Sequence, residues 1–372
     1  MFIRTILLTL CIANVAYARQ APERQRFKHE KHGAIVFASG DGYELKCDIY
    51  QPVSDEPRPI MLAIHGGAWT TGSKFAMLRH ARILANRGYV VMSFNYRLAP
   101  QHKWPAQIHD CKHAVRWIRE HAAKYNADPE HVYAFGYSAG GHLGAMLAAT
   151  DKDDGLEGES IEPYSKHSSR IDGLIAGGAP TEFSWLDEQS TSLVHWLGDT
   201  KANDPDIYAN ASATTFLTED DPPMVLFHGT ADALVPTSSA EEFVSRCKEA
   251  KVNAELQLCN GGHIVTFSLT TNFINSLETL EAMLSKQQCQ KDIESVRALA
   301  VAFRESKGRS PKSIDEFGQY AVASGKIKAN ELKGFATSVR DGKRFQIDWT
   351  SESGIIVSET DGVDGEKLSS KR

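Results

Sequence analysis

Gly136-Tyr137-Ser138-Ala139-Gly140 sets one hydroxyl among residues of little bulk, directly after the apolar run HVYAF and directly before GHLGAMLAA. In a sharp strand-to-helix turn a serine hydroxyl is lifted clear of the sheet in strained backbone geometry, and only small residues fit around it. The helix that follows aims free N–H groups and the positive end of its dipole at an oxygen gaining charge beside the serine. A glycine-rich turn alone would give the same text, so the company this serine keeps decides its meaning.

His65-Gly66-Gly67 ends an earlier apolar run, and glycines there let backbone N–H groups approach a substrate oxygen. Gly66 and Gly67, with Ala139, are the expected oxyanion donors. Asp232 follows the run VLFHG, and His263 follows LQLC in the glycine-rich NGGH. Serine is a weak nucleophile at neutral pH, so a histidine must take its proton and an aspartate must orient that imidazole and stabilise its cation. Ser138, Asp232 and His263 therefore point to acyl transfer, and a histidine base predicts turnover that falls as it is protonated in acid. Trp69, Tyr137, Trp185 and Trp196 are candidate substrate contacts, with core or cap packing equally open for each.

These residues need elements that bring them together. IVF from Ile35 and LKCDIY from Leu45 predict an antiparallel pair around the turn Gly40-Asp41-Gly42. PIMLAIH reads as a strand buried on both faces. There follow a helix over about 75–86, the strand YVVMSFNY, a helix over about 105–124, and HVYAFG ending at Gly136. IDGLIAGG, PMVLFHG and AELQLC continue the strands, and a helix over about 266–286 closes the domain. Strand and helix in alternation give a mostly parallel, doubly wound α/β sheet whose ligands sit at the carboxyl ends of the strands.

Residues 181–221 break the alternation and read as a small cap insertion in a catalytic domain spanning 33–287. Residues 290–372 read as a small α+β module of two helices, the second opened by Ser310-Pro311, then the strands RFQIDW and GIIVSE and a frayed tail after Glu359. Binding, anchoring and dimer packing are all open for this module.

The chain of 372 residues is 42% hydrophobic and 24% charged, which suits one large α/β domain with an appendage. A net charge of -6 without a basic cluster excludes nucleic acid as the expected partner. MFIRTILLTLCIANVAYARQ carries Arg4, an apolar run from Ile6 to Val15 and the small-x-small ending Ala16-Tyr17-Ala18. It predicts a signal peptide over 1–18, cleaved after Ala18, before a polar leader over 19–32. The apolar run is short of the ~20 residues of a membrane span. Export to the periplasm or the exterior is expected, with no stable membrane insertion after cleavage. Beyond Cys11, the cysteines Cys47, Cys111, Cys247, Cys259 and Cys289 are odd in number, and Cys247 with Cys259 could pair or stay free. His109 and His113 stand one helical turn apart without the glutamate of a helical zinc motif, so neither metal nor cofactor is expected. Asp110 reads as a structural partner of Arg97 or Arg116, and Asp204 and Asp206 as turn residues.

HGGAWTTGSK, FNYRLAPQHKWPAQIHDCKHAVRWI, GYSAGGHLGAML, PPMVLFHGTADALVP and GGH together resemble the hormone-sensitive-lipase-like and feruloyl or acetyl esterase branch of the α/β-hydrolase superfamily, over roughly 35–286. The resemblance implies an α/β-hydrolase fold, a Ser138–Asp232–His263 triad, an oxyanion hole at Gly66 and Gly67, and an acyl-enzyme. It also implies a short or aromatic acyl ester as substrate, a small molecule or a group on a polysaccharide. The lipase-like members carry a third glycine where this chain has Ala68, and an acidic residue where it has Tyr137. Those departures point to the acetyl or feruloyl esterases and leave the acyl group open. A serine peptidase of the prolyl-oligopeptidase type shares GYSAGGH-like text but brings a propeller domain not found in this sequence. A non-catalytic recognition module on the fold would normally have lost triad residues, and all three are present.

Overall fold

The computed structural model describes residues 26–40, 42–159, 161–309, 314–323, 337–338, 343–348 and 356–360. The expected signal peptide and the Ser310-Pro311 helix start lie outside these residues. The chain divides into two units, Met1–Leu280 and Glu281–Arg372.

In the first unit the alternating runs become β1 His29–Gly40, β2 Tyr43–Pro52, β3 Arg58–Ile64, α1 Leu78–Asn86, β4 Val90–Phe94, α2 Ala106–Glu120 and β5 Ala127–Tyr137. They continue with α3 Ala139–Ala149, β6 Gly173–Gly177, α4 Val194–Leu197, α5 Pro205–Asn210, β7 Met224–Gly229, α6 Thr237–Glu249, β8 Ala254–Cys259 and α7 His263–Ser268. The polar leader expected to run to His32 already belongs to the sheet from His29, because its last residues pair with the end of β2.

The strands form one sheet in the order β1-β2-β4-β3-β5-β6-β7-β8. β1, β2 and β4 pair antiparallel, and every neighbour from β4 to β8 is parallel. After β3 the chain adds β4 on one side and then crosses to add β5 on the other. The order therefore reverses about β3, and the crevice at such a reversal is where doubly wound sheets take their ligands. The register pairs Ile64 with Gly136, which sets His65-Gly66 beside Tyr137-Ser138.

Burial follows the sequence pattern. β4, β6 and β7 are buried at every position, as uninterrupted apolar runs require, whereas β1 and β8 at the edges are largely accessible. α3 is buried at all eleven residues, so it carries no polar face and serves as the central helix behind the serine. Cys47, Cys111, Cys247 and Cys259 are free thiols, so Cys247 and Cys259 do not pair. Asp110 accepts from the Arg97 side chain and amide, the structural role expected of it. Asp204 caps α5 through the Ile207 amide.

A helix expected to end near Lys286 and another expected from about 290 are one element, α8 Thr270–Lys307. A shift in composition suggested a break, but no glycine or proline interrupts the run before Gly308. The second unit further holds α9 Ile314–Ala323 and a three-stranded antiparallel sheet of β9 Thr337–Ser338, β10 Lys343–Asp348 and β11 Ile356–Thr360. Within it Phe303 packs edge-on against Tyr320, 5.0 Å between ring centres. Among the described residues no helix is long and apolar enough to cross a membrane, and no group of histidine, cysteine, aspartate and glutamate is arranged to hold a metal.

Three buried histidines make stability depend on pH. Burial lowers His65, His80 and His142 from 6.5 to about 4 each. Between those values the unfolded chain protonates the rings and the fold does not, so acidification favours unfolding. The stability they allow is complete above about pH 6.5 and is lost progressively towards pH 4. Both nitrogens of His80 lack a partner, and its ring packs on Phe135, Phe267 and Phe273. Urea midpoints measured from pH 7 to 4.5 should therefore fall steadily, and His80→Phe should make that fall shallower. A midpoint flat over this range would show that the rings are not held neutral.

Candidate active site

Ser138 lies between β5 and α3 with φ 56° and ψ −126°. This left-handed backbone is strained for a residue bearing a Cβ. Its amide donates to the Gly177 carbonyl at 2.8 Å, and its carbonyl accepts from the His142 amide at 2.9 Å. The residue is held from the sheet on one side and from the helix on the other.

The flanking glycines answer to backbone, not to flexibility. A Cβ on Gly136 would stand 2.1 Å from the Gly140 carbonyl oxygen, and one on Gly140 would stand 2.1 Å from that of Ile64. Neither distance is tolerable, so helix, nucleophile turn and β3 touch main chain to main chain.

The Gly66-Gly67 loop closes on the same point. A Cβ on Gly66 would lie 2.7 Å from the Tyr137 carbonyl oxygen and 3.2 Å from Ser138 Cβ. Its carbonyls are engaged by neighbouring donors. The Gly66 carbonyl accepts from His65 Nδ1–H at 2.8 Å, and the Gly67 carbonyl accepts from the amides of Thr70 and Thr71 at 3.0 Å and from both hydroxyls at 3.2 Å. Among the described residues the amides of Gly66 and Gly67 have no backbone acceptor. With the Ala139 amide at the first position of α3, they are free to meet an oxyanion. His65 is the part of this loop that sequence reading missed. It stacks on Tyr96 at 4.2 Å, burial holds it neutral, and its Nδ1 proton steers the Gly66 carbonyl. The signal was present in the histidine that opens HGG.

Asp232 and His263 are brought together across the ends of β7 and β8. His263 Nδ1–H donates to Asp232 Oδ2 at 2.6 Å, and Asp232 Oδ1 accepts from the amides of Leu234 and Val235 at 2.9 Å. The carboxylate so fixes the tautomer and leaves His263 Nε2 as an acceptor. His228, 3.5 Å from Asp232 Oδ2, instead donates Nε2–H to the Val235 carbonyl, and burial lowers its pKa. Gly178 packs against Tyr137 and His263: a Cβ there would stand 2.8 Å from the Tyr137 hydroxyl and 3.1 Å from His263 Cε1. Among the described residues no hydrogen bond joins Ser138 Oγ to His263 Nε2. Rotation about the single serine χ1 bond sets where that hydroxyl points.

The aromatic candidates are placed differently from the expectation of a substrate lining. Trp196 is 0% and Trp69 3% exposed, and they stack on each other at 3.6 Å with 3° between planes. Trp196 Nε1–H donates to Gln107 Oε1 at 3.0 Å. Both are packing residues, with the insertion folded onto the core through them. Tyr137 is 4% exposed, and its hydroxyl donates to the His263 carbonyl at 2.5 Å. Burial, with the Asp232 charge second, raises its pKa and keeps it a donor, so it braces the histidine loop. Trp185 alone of the four keeps accessible surface, its Nε1–H tied to the Glu182 carbonyl at 2.8 Å.

A polar cleft of about 570 Å³ elsewhere is lined by Arg116, Asp151, Glu157, Lys166, Arg170 and Asp220 among others. Within it Arg116 pairs with Glu157 and Arg170 with Asp151 and Asp220, and its lining includes none of Ser138, Asp232, His263 or the Gly66 loop. At the strand ends, by contrast, Ser138, the Asp232-oriented imidazole of His263 and the amides of the Gly66 loop come from neighbouring segments.

Comparison with known proteins gives a consistent result. The family model described as BD-FAE matches residues 47–247, more than half of the chain. The match includes Gly66, Gly67, Ser138 and Asp232, and His263 lies beyond it. Esterase LipC of Mycobacterium tuberculosis is 29% identical over 65% of this chain and 64% of its own length. The probable carboxylic ester hydrolase LipM of the same organism is 30% identical over 51% of this chain and 45% of its own length. The chain thus spans less than two thirds of either relative. A truncated form of a carbohydrate esterase from gut microbiota superposes with a TM-score of 0.63 at 25% identity, covering 71% of this chain and 99% of that one. With its sheet order, strand-end site and these likenesses, the chain has the α/β-hydrolase fold and belongs to the BD-FAE family.

Proposed function

We propose that the protein is an exported serine carboxylic-ester hydrolase that cleaves short acyl esters, acetyl groups on a polysaccharide among them. The observation that carries the reading is the convergence on Ser138 of free amides from the Gly66 loop, beside an Asp232–His263 pair at 2.6 Å. Ser138 Oγ attacks the ester carbonyl while His263 Nε2 takes its proton. The carbonyl oxygen, now an anion, is met by the amides of Gly66, Gly67 and Ala139. Collapse breaks the ester C–O bond, and His263 passes the proton to the departing alcohol. Water then attacks the acyl-serine by the same route, releasing the acid and restoring Ser138. No cofactor enters these steps.

The acyl group is argued from what the aromatic residues do. Trp69, Trp196 and Tyr137 are engaged inside the protein, so of the four candidates only Trp185 offers accessible surface to a feruloyl ring. The carbohydrate esterase likeness supports an ester carried on sugar, and the leader MFIRTILLTLCIANVAYA supports export to where such polymers are met.

Three measurements test this reading. Ser138→Ala should abolish ester turnover with the fold intact, and Asp232→Asn should lower kcat by roughly 10²–10⁴-fold because the amide no longer fixes the imidazole tautomer. A Ser138→Ala protein with near-normal rate would remove the serine from the mechanism. On a matched panel, acetyl and butyryl esters should outpace octanoyl and feruloyl esters, and Trp185→Ala should reduce only feruloyl turnover. Feruloyl esters turned over fastest would reverse the acyl assignment. The N-terminus of protein recovered from outside the cytoplasm should begin at Arg19, and an intact Met1 there would refute export by cleavage after Ala18.

A further inference from the structure

His142 lies one turn into α3, its amide bonded to the Ser138 carbonyl and its side chain 0% exposed. Its ring touches two other segments. Nε2 stands 2.7 Å from the Ala211 carbonyl oxygen, and Nδ1 stands 3.2 Å from Trp69 Nε1. A carbonyl only accepts and an indole N–H only donates. Nε2 therefore carries the proton, and Nδ1 offers its lone pair to Trp69. The partners admit one tautomer and one charge state, and burial lowers the ring's pKa in the same sense.

Trp69 ends a strained stretch. Gly67, Ala68 and Trp69 have φ of 121°, 50° and 59°, so two residues with side chains follow one another in the left-handed region. Such a stretch persists only where its surroundings hold it. Its grips include the bonds from Thr70 and Thr71 to the Gly67 carbonyl, the Trp69 carbonyl, which accepts from the Ala99 amide at 2.9 Å, the stack on Trp196, the edge contact with Phe183, and the indole N–H on His142. Only the last of these reaches the helix that carries Ser138. We propose that His142 is a positioning residue for the oxyanion hole, its Nδ1 fixing Trp69 and so the spacing of the Gly66 and Gly67 amides from Ser138. The inference rests on the ester-hydrolase reading above. It also gives the 181–221 insertion a task, since Ala211 and Trp196 hold the ring and the indole from the far side.

The two nitrogens can be separated by substitution. His142→Asn sets an amide oxygen near Nδ1 and keeps an acceptor for Trp69, whereas His142→Gln extends towards Ala211 and loses it. Trp69→Phe keeps a flat ring for the stack and removes the N–H. With p-nitrophenyl acetate as probe, His142→Gln and Trp69→Phe should each lower kcat by about tenfold, the size of one lost hydrogen bond, with KM within about twofold. The double variant should be no slower than either single, and His142→Asn should recover kcat to within about threefold of the parent. Equal losses for Asn and Gln would make the effect one of volume and overturn the proposal, as would a multiplicative double variant or an unchanged kcat. Ser138→Ala supplies the blank. If the parent shows no Ser138-dependent turnover, the hydrolase reading fails on its own. The link is then judged by near-ultraviolet circular dichroism of the stacked Trp69–Trp196 pair: a signal altered in His142→Gln and kept in His142→Asn supports it, and one unchanged in both overturns it. Should His142→Gln not fold, Trp69→Phe decides by the same kcat and KM split.

Discussion

The strained backbone of Ser138 is the constraint on which the rest of the site depends. A left-handed serine costs about 1–3 kcal/mol and relaxes unless both of its neighbours are fixed. They are fixed by main chain packed on main chain: Gly136 against Gly140, Gly140 against Ile64, and Gly66 against Tyr137. Each contact leaves no room for a methyl group, so the position of the hydroxyl is set by strand and helix axes. Because the sheet order reverses about β3, β3 and β5 are neighbours whose outgoing loops diverge, and the oxyanion loop and nucleophile turn leave the sheet side by side.

Around this rigid point the protein uses histidine in two ways. His65, His142 and His228 each meet a backbone carbonyl, and burial keeps all three neutral. A neutral imidazole with one donor and one acceptor is a directional strut, worth more in a low-dielectric interior than in water and free of the penalty of a buried charge. Of these four rings near the site, His263 alone donates to a carboxylate at hydrogen-bond distance. The carboxylate-oriented imidazole is thus a single one, although several stand within a few residues of the serine or its partners.

What could be read from sequence divides along the range of the interactions. The turn around Ser138 was legible because its signature is compact: Gly136 and Gly140, four residues apart, both have to clear main chain, and five consecutive letters record them. The strand ends bearing Asp232 and His263 were legible because apolar runs and glycine loops mark them, and parallel register does the rest. The tryptophan stack was not legible. Trp69, His142 and Trp196 come from an oxyanion loop, a central helix and an insertion, and no periodicity links segments that meet only after folding. The same gap between local and distant information explains the long helix Thr270–Lys307, where a change of composition mimicked a boundary although nothing in the backbone chemistry breaks the run.

Tyr137 shows how the residue beside the serine ties two loops together. Next to the serine, an acidic side chain would add a buried charge, whereas a phenol packed against Phe227 and Phe267 adds none. Its hydroxyl instead reaches the His263 carbonyl, so the nucleophile turn and the histidine loop are tied directly. With the glycines holding the turn to β3 and this bond holding it to His263, every part of the site is referred to one short stretch of chain. Groups whose spacing is settled on folding need no binding energy to order them, which, in the ester-hydrolase reading proposed above, leaves that energy available to the transition state.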